Sequence, residues 1–249
     1  MIRGVYAVAA SMRELIELQA RLSNNLANLN TPAFKQELPI LTPIGDQEIA
    51  PVGAQPGAVG QAIGPLGFGV YQGEDRLDLS QGPLEAHDNP LALAINGEGF
   101  FRVQTPEGER FTRDGNFGRD AAGYLVNSRG DRVLGEAGPI QLPEGEVTVT
   151  PEGGIWIDGA FVGRLALATF AGPEALTRAG DGLFVGENPQ PVQPGQARIL
   201  QGYIERSNVD VAATLILAMT ALKTYEASQR MLKMQDEQTG RLMDLARFG

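Results

Sequence analysis

Apolar residues recur three and four apart at Val5, Val8, Met12, Leu15, Leu22, Leu26 and Leu29, with Gln19 as the one polar interruption. That spacing predicts an amphipathic helix carrying a heptad-like seam that needs a partner. Asn30-Thr31-Pro32 predicts its end, since proline restricts the residue before it and cannot continue a helix. A second seam runs through Val211, Leu215, Ala218, Leu222, Tyr225 and Leu232, broken at Gln229. Ser207-Asn208-Val209-Asp210 reads as its N-terminal cap. Beyond Leu232 the register shifts toward Leu242, Leu245 and Phe248, and mixed charges such as Lys223, Glu226, Arg230 and Lys233 flank the stripe.

Between the two helices the period changes. Residues 33–69 alternate prolines (Pro39, Pro43, Pro51, Pro56, Pro65) with glycines and keep no sustained pattern, so they read as an extended arm with short strands at most. From Val70 to Tyr203 short apolar runs alternate with turn residues. Phe100-Phe101-Arg102-Val103 leads into Pro106-Glu107-Gly108, and Asp114-Gly115 and Asp158-Gly159 each read as a hairpin turn. The expected organisation is an N-terminal assembly helix (1–32), an arm (33–69), a β-rich domain (70–206) and a C-terminal assembly helix (207–249). The fold class is mainly β with long terminal α-helices: an antiparallel sandwich or barrel-like domain inserted between two coiled-coil helices.

Composition narrows the function. A formal net charge of -10 disfavours nucleic acid and anionic membrane as partners. With no cysteine there is no disulfide, thiolate metal site or cysteine nucleophile. No stretch of 18 apolar residues reads as a membrane span. Arg13, Glu14, Glu17 and Arg21 break up the N-terminal segment, so a cleaved signal peptide is not expected.

Candidate chemistry is sparse. His87, the single histidine, sits beside Asp88 with no second histidine to share a metal and no Gly-x-Ser-x-Gly elbow. Asp114, Asn116 and Asp120 resemble a calcium loop without its closing glutamate. Gly64 to Gly69 lacks the Lys-Ser/Thr of a phosphate loop. Asp75 and Asp78 suit a solvated strand better than an acid–base pair. Trp156, Phe100, Phe101, Phe117 and Phe170 are expected in the β core. No catalytic residue, cofactor, metal or small-molecule substrate is expected. The competing classes are a β-domain hydrolase using Asp75 or Asp88, and a carbohydrate- or partner-binding module, which an exposed aromatic row would favour.

One further set of residues carries more. Met1-Ile2-Arg3-Gly4-Val5-Tyr6, Ser23-Asn24-Asn25-Leu26-Ala27-Asn28 and Thr31-Pro32-Ala33-Phe34-Lys35 open the chain. Ala94-Ile95-Asn96-Gly97-Glu98-Gly99-Phe100-Phe101 and Thr112-Arg113-Asp114-Gly115-Asn116-Phe117 occupy its middle. Gln201-Gly202-Tyr203-Ile204-Glu205-Arg206-Ser207-Asn208-Val209 and Tyr225-Glu226-Ala227 close it. In this order they resemble the flagellar basal-body rod and hook proteins over nearly the whole chain. The resemblance implies a structural subunit, exported without a cleaved signal by the flagellar type III apparatus. It implies polymerisation with itself and other axial proteins into a hollow, torque-transmitting shaft across the periplasm. The proximal rod type fits best, ahead of the distal rod or hook types. The expected subunit interface comprises Val5, Val8, Met12, Leu15, Leu22, Asn24, Asn25, Leu26, Asn28, Leu29, Ser207, Asn208, Val211, Leu215, Leu222, Tyr225 and Leu232.

Overall fold

The structure, a computed structural model, describes the backbone of residues 2–38, 41–43, 47–49, 64–66, 70–72 and 76–247, and side chains over 8–38 and 76–241. It is mainly β with one helix at each end: α1 spans Ile2–Ala27 and α2 spans Val211–Arg247. The chain divides into two compact units, a helical one (Met1–Asn24, Pro39–Asp75, Ala212–Gly249) and a β one (Asn25–Leu38, Arg76–Val211).

In the β unit every strand pairing is antiparallel. A ten-stranded sheet runs in the order 118–119, 125–126, 132–135, 100–105, 108–112, 183–186, 176–180, with 138–139, 167–169 and 190–191 attached at its sides. Phe100–Thr105 is central: Val103 pairs with Arg110 on one side and Val133 on the other. A three-stranded sheet, Val147–Val149, Gly154–Ile157 and Ala160–Arg164, packs its Val149, Ile155 and Ile157 into the same core as Leu93, Ile95, Phe101, Phe117 and Leu142. The large sheet ends at 118–119 and 176–180 and does not close, so the barrel-like alternative is corrected to open, packed sheets.

Two further ladders close the unit with its last residues. Leu93–Gly97 pairs with Ala197–Gln201, and Leu84–Ala86 with Tyr203–Glu205. In the helical unit, Leu41–Pro43 pairs with Val70–Gln72 and Gln47–Ile49 with Gly64–Leu66, two nested ladders formed as the arm runs out and back.

Local turn chemistry worked unevenly. Asp158 and Gly159 both take positive φ (49° and 82°), as a type I′ hairpin demands. Asp114-Gly115 does not form that turn, because neither residue has positive φ. Gly115 instead lies under strand 93–97: its carbonyl accepts the Leu93 N–H at 2.9 Å, and a Cβ there would sit 1.6 Å from the Leu93 oxygen. The first helix ends at Ala27, five residues before Pro32, in successive turns closed by Leu29 N–H to Leu26 O and Thr31 N–H to Asn28 O.

Candidate assembly site

Both chain segments that lead to the helices are fastened inside the β unit. Lys35 and Glu205, 170 positions apart, form an ion pair at 2.6 Å with neither side chain exposed. Lys35 Nζ also donates to Ser80 O at 2.7 Å, and the Gly82 N–H donates to Glu205 Oε1 at 2.9 Å. Arg113 Nη1 reaches Glu205 Oε2 at 3.3 Å, while its Nη2 donates to Gly97 O at 2.8 Å. One carboxylate thus holds two buried cations. Burial pulls the Lys35 ammonium below its ordinary 10.5, and Glu205 offsets part of that. Burial likewise lowers Arg113, again opposed by Glu205.

Backbone and amide bonds surround this triad. The Ala33 N–H donates to Glu205 O at 2.8 Å. Asn208 Oδ1 accepts from the Gln36 N–H at 2.8 Å, and its Nδ2 donates to Asp78 O and Ser80 O at 2.9 and 3.1 Å. Asn25, only 2% exposed, pairs both its amide groups with the Glu37 backbone at 3.0 and 3.1 Å. Arg178 donates to the Lys35 carbonyl, pairs with Glu37 at 3.3 Å and lies over the Phe34 ring at 4.3 Å. Burial pushes the Asp78 carboxyl up, but hydrogen bonds from Gln36 and Ser80 and the Lys35 charge outweigh it and leave it below 3.8. Asn208 therefore ties the residues just before α2 to the N-terminal segment.

The helices present two kinds of surface. On α1 Leu22 is buried and Val8, Ala10, Ser11, Met12, Glu14, Leu15, Glu17, Leu18 and Arg21 are partly buried, a broad band that contains a seam at Val8, Leu15 and Leu22; Ile16 and Gln19 face out. On α2 the corresponding seam is Thr214, Ala218, Ala221, Tyr225, Ser228, Leu232, Gln235 and Thr239, spaced four and three throughout. Its residues are mostly small. Ser228 and Thr239 turn their hydroxyls back to Thr224 O and Gln235 O, so neither needs an outside partner. The large apolar side chains Leu215, Ile216, Met219 and Leu222 are instead 44%, 64%, 59% and 43% exposed.

Among the expected interface residues, the structure places Leu22 in the α1 seam with Val8 and Leu15, Met12 partly buried, and Asn24 and Leu26 at the surface. Asn28 and Leu29 are partly buried in the turns after α1, Asn25 and Asn208 belong to the clamp, and Ser207 is buried with its Oγ accepting the Val209 N–H at 3.4 Å. Val211, Leu215 and Leu222 line the exposed α2 face; Tyr225 and Leu232 lie in its seam. The Val5 side chain lies outside the described residues. Lys35, Glu205 and Arg113 were not singled out, although all three stand inside the recurrent segments quoted above. The available signal is opposite charges in three separate segments of that set: Lys35, Arg113 and Glu205.

The remaining candidates are surface or structural. His87 is exposed and accepts the Asn89 N–H at 3.2 Å. Asp114 accepts the Asn116 N–H, and Asp120 those of Ala122 and Tyr124. No acidic or histidine cluster suited to a metal occurs among the described residues. Asp75 and residues 67–69 lie outside them. Phe100, Phe101 and Phe117 are core and Phe170 borders it, but Trp156 is 38% exposed and leaves the expected core list.

Comparison with known proteins places these segments. The model of the flagellar hook protein FlgE/F/G D1 domain matches residues 94–157, and that of the flagellar basal body rod FlgEFG protein C-terminal region matches 200–245. The FlgF basal-body rod protein of Caulobacter vibrioides is 33% identical over 85% of this chain and 84% of its own length. The FlgG rod protein of the same organism is 31% identical over 87% and 88%. This chain belongs to the flagellar basal-body rod protein family. The FlgG rod protein of Bacillus subtilis aligns over 99% of the chain at 27% identity. The family's members are structural proteins of the flagellum, not enzymes. Seen as a rod protein, the chain carries its matched C-terminal region across both the clamp residue Glu205 and the exposed face of α2.

Proposed function

We propose that this rod-family chain is a structural subunit that polymerises through its terminal helices into the hollow, torque-transmitting shaft of the basal body. The observation that carries this reading is α2 with two faces: one seam of small residues at heptad spacing, and a second face of uncovered Leu215, Ile216, Met219 and Leu222. The seams of α1 and α2, members of one compact unit, pair with each other as a coiled coil. The second face of α2 packs on neighbouring axial subunits, together with the exposed Asn24, Leu26 and Val211 of the expected set. The four α2 side chains are already about half covered, so burying the rest supplies roughly 1 kcal/mol each, or about 4 kcal/mol per subunit, before association entropy is subtracted. Many weak, repeated contacts of that size suit a head-to-tail assembly that does not close.

The subunit reaches the basal body through the flagellar type III export apparatus and occupies the proximal rod. A distal position is the second reading, favoured by relatives named FlgG at 31% identity beside FlgF at 33%. Replacing Leu215 and Leu222 by glutamate in the full chain tests the assembly face. Sedimentation and electron microscopy of the concentrated protein are expected to show oligomers or filaments for the parent and monomer for the variant, with swimming lost in cells that carry it. Parent-like filaments and swimming from the variant would refute this role for α2.

A further inference from the structure

The chain has no cysteine, so its oxidisable sulfur is all in methionine. Of the six methionines, Met12 is partly buried in α1, while Met219, Met231 and Met234 on α2 are 59%, 53% and 56% exposed. The side chains of Met1 and Met243 lie outside the described residues. A long, unbranched thioether suits a surface that adapts to a partner, and exposure also leaves its sulfur open to an oxidant.

Met219 is the one of these three that stands inside the apolar patch of α2. Leu215 lies four residues before it, Ile216 three before and Leu222 three after, the spacings that make helix side chains neighbours. Lys223, four residues after, is the one side chain at these spacings that carries a hydrogen-bond donor. Met231 and Met234 come 12 and 15 residues later in the same helix. At 1.5 Å per residue that is roughly 18 and 22 Å along the axis, beyond the patch.

We infer that Met219 is an oxidation site whose conversion to the sulfoxide switches off the assembly face of α2. The oxidant is hydrogen peroxide. Its O–O bond breaks, one oxygen atom bonds to the thioether sulfur, and the other leaves as water; sulfur gives up two electrons and the peroxide takes them. The product is a polar side chain with a strong acceptor oxygen where the patch needs an apolar one. Packing a second subunit over it buries that oxygen among Leu215, Ile216 and Leu222, and a buried acceptor short of partners opposes association. Coverage also works the other way: once the face is packed, the sulfur is shielded, so the switch acts on the free subunit. The inference rests on the helix-mediated assembly proposed above.

The test treats the full-length protein with hydrogen peroxide, follows assembly by sedimentation and electron microscopy, and locates sulfoxides by mass spectrometry of tryptic peptides. Oxidation is expected to raise the concentration needed for half-assembly about tenfold, equivalent to about 1.4 kcal/mol. Methionine sulfoxide reductase with a dithiol should reverse this, the oxygen leaving as water while the dithiol becomes a disulfide. Met219→Leu keeps the face apolar without the sulfur, so it should assemble equally before and after peroxide. The pair Met231→Leu with Met234→Leu should stay as sensitive as the parent. Met219 should also oxidise about tenfold more slowly in assembled protein than in the free subunit. The inference alone is overturned if the parent assembles equally well with Met219 fully converted, if Met219→Leu remains sensitive, or if the reductase restores nothing. An untreated parent that stays monomeric at every concentration overturns the assembly reading, and this inference with it.

Discussion

Glu205→Gln probes the clamp most directly. Glutamine keeps the shape and one acceptor oxygen, so the Gly82 N–H retains its bond and the cavity stays filled. What disappears is, among the described residues, the one carboxylate bonded to Lys35 and Arg113, which are 0% and 4% exposed. Removing one partner of a buried ion pair costs about 3–5 kcal/mol, because the remaining charge keeps its desolvation penalty. At about 2–4 °C per kcal/mol for a unit of this size, the midpoint should fall on the order of 10 °C. Trp156, the single tryptophan, reports the β unit alone, so its fluorescence during thermal or urea unfolding isolates the effect from helix melting. Two further signs follow. Lys35→Met in the Glu205→Gln background should recover part of the loss, since it removes one of the stranded cations. The loss should also shrink as pH rises toward 10. A lysine with a lowered folded pKa contributes stability that is complete above its unfolded value and lost as pH falls through the folded one. A midpoint within about 1 °C of the parent, or strict additivity with Lys35→Met, would refute the clamp's energetic role.

Burial raises the Asp114 carboxyl above 3.8 against the opposing Asn116 N–H, so its contribution to stability is complete below the unfolded pKa and lost as pH rises through the folded one. Asp114→Asn should therefore unfold at higher urea than the parent at pH 7 and match it below about pH 4; an unchanged midpoint at pH 7 would count against the burial argument. Gly115→Ala should cost about 3 kcal/mol in urea unfolding, because the Leu93 carbonyl occupies the space of the new Cβ; an unaffected midpoint would mean that the strand gives way freely. A fragment of residues 25–211 should unfold as cooperatively as the β unit of the full chain. A fragment of residues 31–207 should be about 3 kcal/mol weaker, since it lacks Asn25 and Asn208 and the bonds they make to Glu37, Gln36, Asp78 and Ser80. Equal urea midpoints for the two fragments would contradict that.

Periodicity along the chain determined that helices lie at both ends and strands between, because the spacing of apolar residues is a local property that each element reads for itself. It also determined the Asp158-Gly159 hairpin, whose backbone demand is met within two residues, and the burial of Phe100, Phe101 and Phe117. Tertiary structure decided the rest. Asp114-Gly115 has the same turn chemistry as Asp158-Gly159, yet strand 93–97 lies across it and takes the glycine for close approach. The large apolar residues of α2 suggested one seam, while the more buried face is the small one, Thr214, Ala218 and Ala221: size alone does not say which face a helix turns inward. Trp156 stands in an alternating strand whose inward places go to Ile155 and Ile157, so register sends the largest side chain out. Lys35 and Glu205 are ordinary surface residue types in any local window. Only folding brings them together across 170 positions, and burial then makes each charge depend on the other.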